Sequence, residues 1–305
     1  MAGSLHSFSD AELVALGQGF GLAGVDSLVW APFGDSGAMR LVRVGGRELV
    51  AKRHWMLSGD RAALLGAVLD AAQAAGVAPP ILRTVAGGLV LELGGAWYGL
   101  MERVQGEPPA CGRGLGRAGC AVARLHLALA QVPGQAVCPR AVAPDEAALL
   151  LARAGCDDLG REVRAAAEAS AAMPRQLVHR DLHAGNFLLR DNSALVLDFD
   201  SFSTGARVAD ALFAAFRLAA GEVAGMARFL KAYEADVPLS AKERTHGLLA
   251  LACDFLLKLA FIQRRREAGE TLFEKDRRNY ESFALRALDL ARRYPGGLEQ
   301  LQGMA

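Results

Sequence analysis

The sequence predicts an α+β fold in two lobes, an N-terminal lobe built on an antiparallel sheet with a helix, and a mainly helical C-terminal lobe. Three observations carry this expectation. Short apolar runs joined by glycine-containing turns fill the first hundred residues, helical periodicity dominates after residue 115, and Gly106, Pro108 and Pro109 punctuate the stretch between them. With 305 residues, 52% of them hydrophobic, the chain has apolar material for two cores. The division is expected at residues 1–103 and 104–305.

In chain order, Ser9-Asp10-Ala11-Glu12 has the form of a capping box, in which the Ser hydroxyl and the Glu carboxylate exchange bonds with first-turn amides. It predicts a helix to about Gln18, closed by Gly19 and Gly21. Three strands follow, at 27–30, 39–44 and 48–53, joined by turns that contain glycine. An alanine-rich helix is expected over 58–75, ended by Gly76 and Pro79-Pro80. Strands over 77–83, 88–93 and 97–103 complete the sheet. Residues 116–130 are amphipathic at helical spacing, with Leu115, Val122, Leu125 and Leu129 on one side. His126 within them reads as structural, because no His or Cys lies four residues away to share a metal. An irregular connection over 133–144 leads to a helix over 145–172, which Met173-Pro174 ends, and 222–294 are helical again.

Composition narrows the function. Lys and Arg total 34 against 33 Asp and Glu, a net charge of +1, and no basic run is interleaved with aromatics, so no nucleic-acid partner is expected. The five cysteines are scattered without a C-x-x-C, which reads as reduced thiols. Residues 1–10 lack a basic start and an apolar core, and the most hydrophobic stretch, 248–262, is cut by Asp254 and Lys258. A soluble, cytoplasmic protein with no membrane partner is the expectation.

The chemistry concentrates in Leu177-Val178-His179-Arg180-Asp181-Leu182-His183-Ala184-Gly185-Asn186-Phe187-Leu188-Leu189 and its sequel Leu195-Val196-Leu197-Asp198-Phe199-Asp200. Asp181, Asn186 and Asp198 supply oxygen ligands of the kind Mg2+ prefers, plus one carboxylate to meet an incoming hydroxyl. Asp198 and Asp200 stand two apart on what reads as a strand, so they point to one face, where they repel unless a cation sits near them. Lys52 ends the apolar run Leu49-Val50-Ala51; alone such a lysine is usually solvated, but the strands around it favour a functional role.

H-x-D-x-x-x-x-N followed by an apolar strand and D-F resembles the catalytic segment of the protein-kinase-like superfamily, and His179 to Asn186 is most similar to the version in aminoglycoside phosphotransferases and choline/homoserine kinases. The resemblance extends to the N-terminal helix and three-strand meander. It implies a bilobal protein-kinase-like fold and an ATP-dependent, Mg2+-requiring phosphotransferase acting on a hydroxyl of a small molecule: an amino alcohol, sugar, amino acid or antibiotic. No Gly follows Asp198-Phe199, only residues 201–209 separate that motif from Asp210, and no A-P-E follows, which favours a small-molecule acceptor over a protein one.

By the same resemblance, Asp181 is the catalytic base, Asn186 and Asp198 hold Mg2+ with Asp200 as an additional ligand, and Lys52 contacts the nucleotide phosphates. Backbone near Met101 and Arg103 would hold adenine, while Ser36 and Gly37, in the loop 33–38, either cover the phosphates or form a plain hairpin turn. His179 buttresses the loop, His183 reaches the acceptor or only packs, and Asp210 braces the catalytic backbone or complements a helix dipole. The helix over 58–75 offers Asp60 and Asp70 but no Glu for Lys52, so the lysine is expected to be held differently. Two alternatives stay open: a Ser/Thr protein kinase, and a catalytically silent nucleotide-binding regulator. Arg264-Arg265-Arg266 reads as a solvated helix face, with a phosphate or acidic-acceptor contact as the lesser reading.

Overall fold

The computed structural model describes residues 8–22, 29–32, 38–54, 57–110, 112–134, 142–270 and 274–303. Helix α1 (Asp10–Gly19) opens with the expected capping box: the Glu12 amide donates to Ser9 Oγ at 3.2 Å, and the Ser9 amide donates to Glu12 Oε2 at 2.7 Å. The Tyr98 hydroxyl also donates to Glu12, which ties the helix to the sheet. Leu13 and Leu16 pack there with Leu49, Tyr98 and Leu100 in a small core.

The sheet has five strands in the order β1-β2-β3-β5-β4: β1 (Val29–Pro32), β2 (Met39–Val44), β3 (Arg47–His54), β4 (Leu91–Leu93) and β5 (Ala96–Glu102), each pair antiparallel. Gly45 and Gly46, at φ 56° and 77°, make the tight turn between β2 and β3, a conformation open to glycine without strain. Strand β3 lies between β2 and β5, and its alternation sends Lys52 and His54 to one face.

Two sequence expectations need correcting here. Residues 77–83 form no strand, only an isolated bridge from Ile81 to Met101. Pro79 and Pro80 bring no amide to a ladder, and Val77 and Ala78 bury with helix α2 (Gly59–Ala74) in the main core. The helix expected over 145–172 is two helices, α4 (Pro144–Arg153) and α5 (Asp157–Ala171). Gly155, at φ 77°, turns the chain between them.

The rest is helical around one long element. α3 (Leu115–Leu129), α6 (Arg207–Leu218), α7 (Val223–Glu234), α8 (Ala241–Glu267), α9 (Glu274–Arg293) and α10 (Leu298–Gln302) share a continuous core. α8 is long and apolar enough to cross a membrane, yet 78% of its most apolar window is buried inside the protein, beneath α4, α5, α6 and α9. Two small antiparallel pairs complete the lobe: β6 (Arg175–Val178) with β9 (Ser203–Ala206), and β7 (Phe187–Arg190) with β8 (Ser193–Val196). They carry the polar motifs to the edge of this core.

Candidate active site

The segment after β6 turns sharply because Arg180 adopts the left-handed conformation, φ 71°, which costs a non-glycine residue about 1–3 kcal/mol unless its surroundings fix it. Here they do. Asp210, in the first turn of α6, accepts the His179 amide at 3.1 Å and the Arg180 amide at 2.7 Å. The Arg180 guanidinium meets both oxygens of buried Asp254 on α8, at 2.7 and 2.9 Å. Asp210 also faces His126 Nε2 at 3.1 Å, and His126 Nδ1 faces the Tyr233 hydroxyl at 2.8 Å. His126 is thus a buried structural link, and Asp210 both braces the loop and opens a helix. Burial pushes the Asp210 carboxyl up, but the bond and charge of His126, His179 and the Arg180 amide outweigh it and hold it below the usual range.

His179 is buried between the two motifs. Its Nδ1 accepts the Asp181 amide at 3.2 Å and its Nε2 donates to the Leu197 carbonyl at 2.9 Å, the pattern of one neutral tautomer. Burial lowers its pKa against the pull of Asp210, Asp181 and Asp198, in keeping with a neutral ring. The Asn186 side-chain amide donates to the Asp181 carbonyl at 2.8 Å, and the Leu197 amide donates to the Asn186 carbonyl at 2.9 Å. These bonds stitch the Asp181 loop, the 3₁₀ turn Ala184–Asn186 and the residue before Asp198 into one rim.

Asp198 and Asp200 do not lie on a strand, contrary to the sequence expectation. Asp198 is left-handed, φ 61°, and Phe199–Ser201 form a 3₁₀ turn. The two carboxylates nonetheless converge, because Lys52 reaches across from β3. Its Nζ lies 2.5 Å from Asp198 Oδ1 and 3.0 Å from Asp200 Oδ1, so an ammonium stands between the two acids. Burial would push Lys52 toward neutrality, but Asp200 and Asp198 outweigh it and raise its pKa above the ordinary lysine value. Burial likewise opposes ionisation of Asp200, yet Lys52 and His54 hold its carboxyl far below the usual range.

The expected absence of a glutamate partner on α2 has a structural answer. Lys52 takes both acids from the Asp198–Asp200 turn, and Asp70 pairs with Arg83 instead. Arg61 of α2 donates to the Asp200 carbonyl at 2.9 Å and the Phe202 carbonyl at 2.5 Å, bracing the turn from beneath. His54 Nδ1 lies 2.7 Å from Asp200 Oδ1. A side chain at Gly99 would come within 2.7 Å of the His54 ring, so the bare backbone makes room for that pair.

Beside Asp181 opens a pocket of about 330 Å3 lined by Asp181, His183, Arg217, Lys258, Tyr280 and Phe283 among others. Lys258 Nζ donates to the Arg180 carbonyl at 2.8 Å and stands 3.5 Å from Asp181 Oδ1. His183 Nδ1 accepts the Gly185 amide at 3.1 Å, which leaves the other edge of the ring at the pocket wall.

Of the residues expected to act, Asp181, Asn186, Asp198, Asp200 and Lys52 come together. Met101 and Arg103 lie where β5 leaves the sheet; the Arg103 amide donates to the Glu48 carbonyl at 2.9 Å and its guanidinium pairs with the Glu48 carboxylate at 2.6 Å. Ser36 and Gly37 lie outside the described residues. Sequence reasoning missed Lys258, His54, Arg61 and Arg217. Lys258 and Asp254 did leave a signal, two charges four apart on one face of an otherwise apolar helix.

Asp198 is 45% exposed in its side chain and Asn186 turns its amide nitrogen to Asp181, so both offer oxygen donors that suit Mg2+. Among the described residues no three His, Cys, Asp or Glu side chains form a cage of their own. That donor set matches an ion held by one or two protein oxygens together with substrate phosphates.

Solved structures share this architecture. A choline/ethanolamine kinase family protein from Mesorhizobium loti is 17% identical with a TM-score of 0.64, covering 96% of this chain and 98% of its own. Amicoumacin kinase in complex with AMP-PNP, Ca2+ and Ami is 13% identical with a TM-score of 0.66, covering 97% of each chain. A microcompartment-associated aminopropanol kinase is 18% identical with a TM-score of 0.65, covering 94% of this chain and 97% of its own. At such identities the likeness shows the fold, which is kinase-like. No curated protein matches the sequence. The family model described as the phosphotransferase enzyme family (APH) matches residues 34–245, which span β2 to β5 of the sheet, both polar motifs and the start of α8. The chain therefore belongs to the phosphotransferase enzyme family.

Proposed function

We propose that the protein is an ATP-dependent kinase that transfers the γ-phosphate to a hydroxyl of a small molecule. The observation that carries this is the rim itself: a lysine from the sheet bonded across to Asp198 and Asp200, whose turn is linked through the Leu197–Asn186 and Asn186–Asp181 hydrogen bonds to Asp181 at the mouth of a pocket. Asp181 accepts or orients the proton of the acceptor hydroxyl, and its loop is held rigid so that the carboxylate is already placed. Asn186 and Asp198 would hold Mg2+, which when bound neutralises phosphate charge. Asp200, with one oxygen shared by Lys52 and His54, aims Lys52 at the phosphates and stands as the additional ligand.

Lys258 adds a cation beside Asp181, at the point where negative charge gathers during transfer. Residues 1–103 would serve the nucleotide, with adenine near Met101 and Arg103 and phosphates near Ser36 and Gly37, and 104–305 the acceptor. A pocket walled by α6, α8 and α9 suits a small acceptor better than a protein segment. Aminopropanol kinase and amicoumacin kinase, by name, act on small molecules, which supports the same class here. A cytoplasmic location belongs to this proposal.

The test is ADP release with Mg2+ and ATP over a panel of hydroxylated metabolites. Turnover that needs both Mg2+ and an intact Asp181 is the expected result. A magnesium-dependent thermal shift with ATP but no turnover on any acceptor would instead point to a silent nucleotide-binding protein.

A further inference from the structure

The acceptor pocket holds two cations, Arg217 and Lys258, and two acids, Asp181 and Asp276, and the two sets are not paired off. Lys258 and Arg217 both lie against the Phe213 ring, with Lys258 Nζ 3.8 Å and the Arg217 guanidinium carbon 5.7 Å from its centroid. Lys258 already has partners in the Arg180 carbonyl, at 2.8 Å, and Asp181, at 3.5 Å. Arg217 has no hydrogen bond or ion pair with any described residue; it stacks on Phe283, 4.7 Å from the ring centroid, and faces the pocket. A guanidinium held between aromatic rings spends none of its N–H donors on them, and those donors can grip a carboxylate or phosphate through two parallel bonds. His183 Nδ1 accepts the Gly185 amide, so the neutral ring carries its hydrogen on Nε2 and offers Arg217 no acceptor; burial, against the pull of Asp181, lowers its pKa in keeping with that neutral form.

Resting on the kinase proposal above, we infer that the acceptor is an alcohol carrying an anionic group, a carboxylate or a phosphate, which Arg217 holds while the hydroxyl meets Asp181. The pocket supports this in its other walls. Phe261, Ile262, Tyr280 and Phe283 supply apolar contact for a short carbon chain between the two ends. Asp276, which also has no ion-pair partner among the described residues, lines the same space and would receive an amino group on that chain. A neutral or purely cationic alcohol would leave Arg217 desolvated and unpaired, which is the arrangement that gives strong discrimination.

The experiment uses matched pairs that differ only in the acid: serine against ethanolamine, homoserine against 3-aminopropanol, and glycerol 3-phosphate against glycerol. ADP release is measured with Mg2+ and ATP, and binding is measured by calorimetry with a non-hydrolysable ATP analogue present. The acid-bearing member of at least one pair is expected to exceed its partner by about 100-fold in kcat/KM. The carboxylate and phosphate arms show which anion fits. Arg217→Met should remove that preference mainly through KM, and Arg217→Lys should keep part of it, with melting temperature confirming that both variants fold.

Equal use of the acid-free partners, an unchanged preference in Arg217→Met, or no binding of any of the three acids would overturn the inference. Phosphorylation of the acid-free alcohols alone would leave the kinase proposal standing. Arg217-dependent binding of an acid without any ADP release would do the reverse.

Discussion

Asp181 stands on a loop clamped by α6 and α8, whereas Asp198 stands on a turn whose carboxylate is bonded to a lysine from the opposite side of the cleft. Each motif carries a left-handed non-glycine residue, Arg180 at φ 71° and Asp198 at φ 61°, so each stores strain of about 1–3 kcal/mol. The first is offset by buried partners, Asp210 and Asp254. The second rests on Lys52 and leaves Asp198 nearly half exposed. The difference teaches that the acceptor side is pre-set by the protein, while the phosphate side keeps an acid within reach of solvent and ligand.

That contrast can be broken at several points. The largest effect is expected from Asp181→Asn, which should lower kcat by about 10²–10⁴-fold while nucleotide binding, read by thermal shift with ATP, stays near that of the parent. Transfer at the parent rate would remove Asp181 from the chemistry. Next comes Asp254→Ala, which removes the carboxylate paired with the buried Arg180 guanidinium; it should cost about 3–5 kcal/mol in urea unfolding and reduce activity by loosening the loop. Unchanged stability would show that the loop does not depend on α8.

Lys52→Met tests the other side. It should abolish the stabilisation given by Mg2+ and ATP and lower intrinsic stability by about 3 kcal/mol, since buried Asp200 loses its ammonium partner and keeps His54. An undiminished thermal shift with ATP would argue that nucleotide binds elsewhere.

Acid should weaken the clamped side first. Asp210 and His179 both titrate below their ordinary values, so the unfolded chain binds more protons than the folded one as pH falls through the histidine and then the carboxylate range. Stability is therefore present in full above the unfolded histidine value and declines on acidification. Asp210→Asn should flatten the lower part of that decline, as followed by melting temperature against pH. The smallest effect is expected at the surface: Arg264→Ala breaks a 3.5 Å pair with Glu146 between half-exposed side chains, and should change stability by less than about 1 kcal/mol.

Local signals were enough for much of this. The capping box at Ser9, the bounds of β2 and the helix over residues 59–74 follow from side chains close in sequence, where cap bonds, turn glycines and periodicity act over a few residues. The break at Gly155 and the absence of a strand over 77–83 also have local causes, a left-handed glycine and two prolines without amides, but apolar periodicity on either side hides them in the sequence.

The motif around Asp181 and Asp198 marked the residues of the site, since the chemistry needs particular oxygen donors and their order in the chain carries that need. What the sequence could not specify is how those donors are held. Asp198 and Asp200 meet Lys52 on a left-handed turn instead of a strand, because Arg61 and His54 reach them from 139 and 146 residues away. Asp254 and Lys258 read only as interruptions in an apolar helix until the fold brought them against Arg180 and Asp181. Arg217 left no trace in the local pattern. Its isolation among aromatic rings exists only after α6, α8 and α9 have packed, for whether a charge finds a partner is decided only when the whole chain is in place.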